Sequence, residues 1–111
     1  MRIWDIEPGK LCRSHLLGEH RELHAIWKIL TCGKKGYSHH PETLRWKGKL
    51  KALFLRHDKL VDELKRRGYR HNSLLDKSYA IGCARQDVFI DSIQRQLSIL
   101  NKKGCACKVK K

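Results

Sequence analysis

At 111 residues the chain has room for one domain. It carries 25 Lys plus Arg against 11 Asp plus Glu, a formal net charge of +14, while 41% of its residues are hydrophobic. That apolar content excludes a disordered basic tail, and the length excludes a nucleotide-cofactor domain set beside a substrate domain. The longest apolar run, Ala52 to Leu55, is four residues and too short to span a bilayer. The first ten residues hold two acids and no apolar core, so no signal peptide is expected. The five cysteines then read as reduced thiols, in a cytoplasmic, nucleoid-associated or intracellular viral setting rather than a secreted one.

Periodicity predicts a compact all-α domain of three main helices joined by irregular loops. The first helix is expected from Pro8 to Thr31, with Pro8 in the first turn and Gly33 as the stop. Leu11, Cys12, Leu16, Leu23, Ile26, Trp27 and Leu30 form its apolar stripe, and Arg13, His20, His24 and Lys28 lie opposite. Ser14, Gly18, Arg21 and Ala25 make a narrow face of small residues with one Arg in it. A second helix is expected from Pro41 to Arg67, ending at Gly68, with Trp46, Leu50, Leu53, Phe54, Leu60, Val61 and Leu64 on one side. Arg45, Lys49, Arg56 and Arg67 read as a basic stripe on its flank, and Gly48 in mid-helix marks a close approach. A third helix is expected from Arg85 to Lys102, marked by Val88, Ile90, Ile93, Leu97 and Leu100, followed by a mobile basic tail over 103–111.

The charge is unevenly placed. Residues 1–30 carry five basic and four acidic groups, residues 31–76 twelve and five, and residues 77–111 eight and two. This points to a polyanionic partner, nucleic acid before an anionic membrane. Acids are scarce, so their positions inform. His15, Glu19 and Glu22, at i, i+4 and i+7, share a face of the first helix that overlaps its apolar stripe. A carboxylate there is a catalytic candidate with a raised pKa, or one half of an ion pair with a Lys or Arg. His57, within the second stripe, reads as a core histidine; His39 and His40 precede a helix and suit phosphate contact or a solvated loop equally.

Cys105 and Cys107 form C-x-C, with Cys83 upstream, but no C-x₂-C and no His-x₃-His accompany them, which falls short of a four-ligand zinc pattern. Neither a P-loop, a dinucleotide fingerprint nor a nucleophile elbow occurs. Without an acidic cluster for magnesium, nucleic-acid cleavage would have to use a side-chain or terminal nucleophile. The α-amine of Met1 qualifies: its ordinary pKa near 7.7–8.0 leaves roughly a tenth of it unprotonated at pH 7, far more than a Lys amine.

The segment MRIWDIEPGKLCRSHLLGEHRELHAIWKIL resembles the pyrimidine-dimer DNA glycosylase family, the phage-type endonuclease V enzymes and their cellular branch. The likeness rests on H-L-x-x-E-x-R-E-L (His15, Leu16, Glu19, Arg21, Glu22 and Leu23) and on the dipeptide Arg2–Ile3; HPETLRWKGKLKALFLRHDKLVDELKRRGY extends it to about residue 75. The resemblance implies a repair glycosylase with coupled abasic-site lyase activity, acting on cyclobutane pyrimidine dimers in duplex DNA. It implies Met1 as the amine nucleophile, Glu22 as the catalytic carboxylate, and Arg2, His15 and Arg21 as DNA-binding residues. No metal or other cofactor, no membrane and no obligate protein partner is implied, and a monomer is expected. Two features depart from the family: Ala25 replaces a basic residue, and the tail GCACKVKK lacks an aromatic segment. The competing readings are a non-catalytic basic nucleic-acid-binding protein and a small zinc module. Either DNA reading requires counterion release on binding. Duplex affinity is therefore expected to fall about 10³-fold or more between 50 and 200 mM salt in a filter-binding or anisotropy titration, and a flat response would exclude a polyanionic partner.

Overall fold

Two long helices carry most of the apolar periodicity: α1, Arg13–Cys32, and α3, Leu50–Arg66. A four-residue α2, Pro41–Leu44, precedes α3, and α4, Ile93–Lys102, lies toward the C-terminal end. Short 3₁₀ turns occupy Pro8–Lys10 and Lys77–Tyr79. The computed structural model describes residues 2–33, 39–69, 75–103 and 107; among them no strand forms, and the all-α class expected from periodicity is the one adopted. Of the basic tail expected at 103–111, only Lys103 and Cys107 fall within the described residues.

Helix α1 begins five residues later than expected. Pro8–Lys10 makes one separate 3₁₀ turn, and Leu11 then extends (φ −81°, ψ 140°) to place its side chain in the core. The reason is competition for backbone carbonyls: Arg67 Nη2 donates to Leu11 O at 2.6 Å and reaches Pro8 O at 3.3 Å, which satisfies groups that a continuous helix would have used. The far end matches expectation, with Gly33 in the left-handed conformation (φ 66°) that closes a helix without a Cβ penalty.

The second expected helix divides in two. Gly48, at φ 76°, breaks it, so α3 starts at Leu50. Its first free N–H groups are then met by another segment: Lys51 N donates to Ile81 O (2.9 Å), Ala52 N to Cys83 O (3.2 Å), and Cys83 N returns a bond to Gly48 O (3.0 Å). The close approach marked by Gly48 is thus a docking seam for residues 81–83. At the other end Tyr69 N bonds Leu64 O and Gly68 N bonds Lys65 O, the Schellman pattern around a left-handed glycine.

The third expected helix is shorter than its apolar markers suggested. It starts at Ile93, where Ser92 Oγ accepts the Arg95 N–H, and Val88 and Ile90 lie outside it, half-exposed. Side chains hold the preceding segment instead: Arg45 Nη1 donates to Val88 O at 2.9 Å, and Gln86 Oε1 accepts Val88 N–H at 3.0 Å. The core joins Leu16, Leu23 and Ile26 of α1, Leu53 and Leu60 of α3 and Leu100 of α4 around Ile3, Trp4 and Ile6 from the N-terminal segment.

Gly82 is the tightest point of the seam. A Cβ there would stand 2.3 Å from Gly48 O, and its φ of 88° is unfavourable for other residues. Gly82→Ala should lose about 2 kcal/mol or more in urea denaturation. Gly18→Ala, in mid-helix with nothing within 4 Å of the added carbon, should gain roughly 0.5–1 kcal/mol. An unshifted midpoint for Gly82→Ala would show that the seam does not hold α3.

Candidate active site

The N-terminal segment is the best-anchored irregular stretch of the chain. Ile3, Trp4 and Ile6 are buried, and side chains from four places take up the backbone between them. Trp4 N donates to Glu19 Oε1 (2.9 Å) and Asp5 N to Gln96 Oε1 (2.8 Å). Arg45 Nη2 donates to Ile3 O and Arg56 Nη2 to Ile6 O, both at 2.9 Å. Helices α1, α3 and α4 and the residue that ends α2 therefore converge on residues 3–6.

Glu19 is the central member. It is 2% exposed and receives Arg56 through two nitrogens, Nε to Oε2 at 2.7 Å and Nη2 to Oε1 at 3.1 Å. Burial pushes its carboxyl pKa up, while the Arg56 charge and the bonds from Arg56 and Trp4 N–H pull it back. Of the two alternatives posed by spacing, Glu19 is the buried ion-paired one. Glu22, one turn further along α1, is half-buried at the edge of the stripe. Beside it Ser14 and Arg21 are exposed, and Gly18 leaves open space where a Cβ would stand. Met1 lies outside the described residues.

The basic stripe expected on the second helix is not a free surface. Arg45 is buried and pairs with Glu42 and Asp5, Arg56 pairs with Glu19, Lys49 with Asp87, and Arg67 with Glu63. Helical spacing placed these cations together, but each meets a carboxylate from its own or another element. Glu63 shows the consequence: hydrogen bonds from Arg66 and Arg67 hold its carboxyl at about 2. Exposed positive charge is carried instead by Arg21 and Lys28 on α1, by Lys51, Lys59 and Lys65 on α3, and by Lys47.

The other expected DNA-binding residues have partners too. Arg2 pairs with Asp91 at 2.9 Å and lies over the Trp4 ring, 4.9 Å from its centroid. His15 turns its Nδ1 toward two sulfurs, Cys12 Sγ at 3.1 Å and Cys107 Sγ at 3.3 Å, and sets its ring edge-on against Trp4. Burial, and then the charge of Lys103, lower its pKa. His57 is a buried histidine as expected, but its partners overturn the placement of His20 and His24. Those two face α3 rather than lying away from the core, and His24 Nε2 stands 3.0 Å from His57 Nε2. The cause is the i, i+4 spacing of His20 and His24, which sets both rings against one buried imidazole. His40 caps α2 by accepting Glu42 N–H, and His39 is exposed. Both Cys12–His15–Cys107 and His20–His24–His57 bring three donor atoms within 4.8 Å of one another. Sequence reasoning missed the first because it weighed Cys–Cys spacing only; the C-x₂-H of Cys12 and His15 was the available signal.

A family model described as pyrimidine dimer DNA glycosylase matches residues 1–77, which span α1 to α3. No curated protein and no solved structure matches the chain.

The two glutamates of α1 should separate cleanly in stability. Glu19→Gln leaves Arg56 buried without its counter-charge and should cost about 3 kcal/mol or more in urea denaturation. Glu22→Gln, in a partly exposed position, should stay within about 0.5 kcal/mol of the parent. A stable Glu19→Gln protein would show that the N-terminal segment is held without this pair.

Proposed function

The chain belongs to the pyrimidine dimer DNA glycosylase family, and from that premise we propose that it excises cyclobutane pyrimidine dimers from duplex DNA and cleaves the abasic site, using the α-amine of Met1. The observation that carries this reading is the bond from Trp4 N to Glu19. It fastens the N-terminal segment to the face of α1 on which Glu22 lies. Three residues of chain limit the Met1 amine to about 10 Å from the Trp4 nitrogen. Glu22 is about 4.5 Å along the helix axis from Glu19. An amine on so short a tether lies within working reach of that carboxylate.

The chemistry follows from the groups. The unprotonated amine attacks C1′ of the 5′ sugar of the dimer and displaces its base. The imine that forms acidifies the C2′ proton, and loss of that proton breaks the 3′ C–O bond by β-elimination. Glu22 stabilises the cationic imine and moves protons between these steps. Arg21, exposed beside Glu22, suits a phosphate contact, and the open face at Ser14 and Gly18 admits the DNA backbone. The Arg2–Asp91 pair is partly solvated, so exchanging Asp91 for a phosphate costs Arg2 little. A duplex weakened at a dimer bends and opens cheaply, which favours binding at the lesion.

Borohydride trapping on ultraviolet-irradiated duplex tests the nucleophile. A covalent adduct is expected, and peptide mass spectrometry should locate it on Met1. An added N-terminal extension should abolish trapping and cleavage but preserve salt-sensitive binding. Glu22→Gln should slow cleavage by about 10²-fold or more with binding intact. An adduct on a Lys, or full cleavage by the extended protein, would remove Met1 from the mechanism. Absence of any adduct would favour a non-catalytic DNA-binding protein.

A further inference from the structure

We propose that Cys12, His15 and Cys107 form a binding site for a zinc ion, which ties the residues following α4 to the start of α1. Two stretches of chain more than 90 residues apart meet there. Cys12 Sγ and Cys107 Sγ stand 3.1 and 3.3 Å from the same nitrogen, His15 Nδ1, and all three donor atoms lie within 4.8 Å of one another. Cys12 and His15 are three apart across the first turn of α1, so both side chains leave the helix on one side. Neither cysteine is in a disulfide.

The donor chemistry selects the ion. Two thiolates and an imidazole suit zinc far better than magnesium or calcium, which want oxygen. In a tetrahedral zinc site, Zn–S of 2.3 Å and Zn–N of about 2.05 Å put S and N roughly 3.5 Å apart. The observed separations are a few tenths of an ångström shorter, an opening that side-chain rotation supplies. Binding releases two thiol protons, leaving one Zn²⁺ with two thiolates and a neutral imidazole, a site of no net charge. Cys12 N–H already donates to Cys107 Sγ at 3.0 Å, the kind of backbone bond that steadies a ligating thiolate. The start of α1 has no side-chain cap, so negative sulfur at its positive end is electrostatically favoured.

The site would be structural. It closes a loop over nearly the whole chain, whose entropy is large in the unfolded state. Through the His15 ring it also supports Trp4, the residue bound to Glu19. Cys107 lies outside the residues matched by the family model, so this clamp is an addition to that shared part.

The test uses the full chain, metal-stripped and reloaded with one equivalent of zinc or of cobalt(II). Cobalt should give a near-ultraviolet sulfur-to-metal charge-transfer band, and zinc should shield at least two thiols from a thiol reagent until chelator is added. Chelation should lower the apparent Tm of the zinc protein by several degrees. Cys12→Ser keeps a hydroxyl suited to capping α1, and Cys107→Ser changes a residue outside the helices, so at least one should fold. Each should lose the charge-transfer band and bind zinc more than tenfold more weakly. His20→Gln, which alters the separate histidine cluster, should keep the band. No sulfur-to-cobalt band in the parent, an undiminished band in folded Cys12→Ser or Cys107→Ser, or a Cys12–Cys107 disulfide in protein alkylated at lysis would overturn the proposal.

Discussion

A carboxylate buried in the middle of α1 has to be neutralised where it lies, and the arrangement of this protein follows from how that is done. Glu19 is 2% exposed, and leaving it charged and unpaired would cost several kcal/mol. Arg56 meets it through two nitrogens, which fixes the rotation of α3 against α1. The Oε1 atom also accepts the Trp4 N–H, which brings an irregular segment into the core. Arg56 then reaches Ile6 O on the same segment, so one ion pair secures two helices and the N-terminal residues together. Any chemistry by an N-terminal amine near Glu22 presupposes that fastening.

The remaining charge divides by residue type. Arg45, Arg56 and Arg67 are drawn inward, each combining a carboxylate with backbone carbonyls that no helix or strand satisfies. The planar guanidinium suits this, since it offers several donors in fixed directions and loses less on dehydration than an ammonium. Lysines such as Lys28, Lys51, Lys59 and Lys65 remain exposed. A net charge of +14 therefore overstates the charge available to a polyanion wherever it counts arginine, and describes it better wherever it counts lysine. Among the described residues no buried side-chain nitrogen or oxygen lacks a partner, which is the outcome this division achieves.

Much of the site on α1 was legible in the sequence. The spacing of Glu19 and Glu22 placed one within the apolar stripe and the other at its edge, and the structure agrees because helical periodicity alone decides which face a residue occupies. The fate of His15 was not legible. Its i−3 partner, Cys12, was in view, but Cys107 comes from the other end of the chain, and no local pattern reports contact across such a separation. His20 and His24 were misplaced for a similar reason: polar residues on a helix were expected to face water, and a buried histidine on α3 offered another partner.

Helix content, the stop at Gly33, the identity of most core residues and the family were determined by the sequence itself, because each rests on periodicity or on a short motif read along the chain. Tertiary structure decided where helices began. Arg67 captured the carbonyls before α1, residues 81–83 supplied the acceptors at the start of α3, and Arg45 with Gln86 held the segment before α4 out of a helix. A helix end leaves backbone groups unsatisfied, and which distant side chain or loop answers them depends on packing that no local window contains. The same limit separated the paired arginines from the exposed lysines. Helical spacing placed the cations on a face, and only the folded chain determined which of them met a carboxylate.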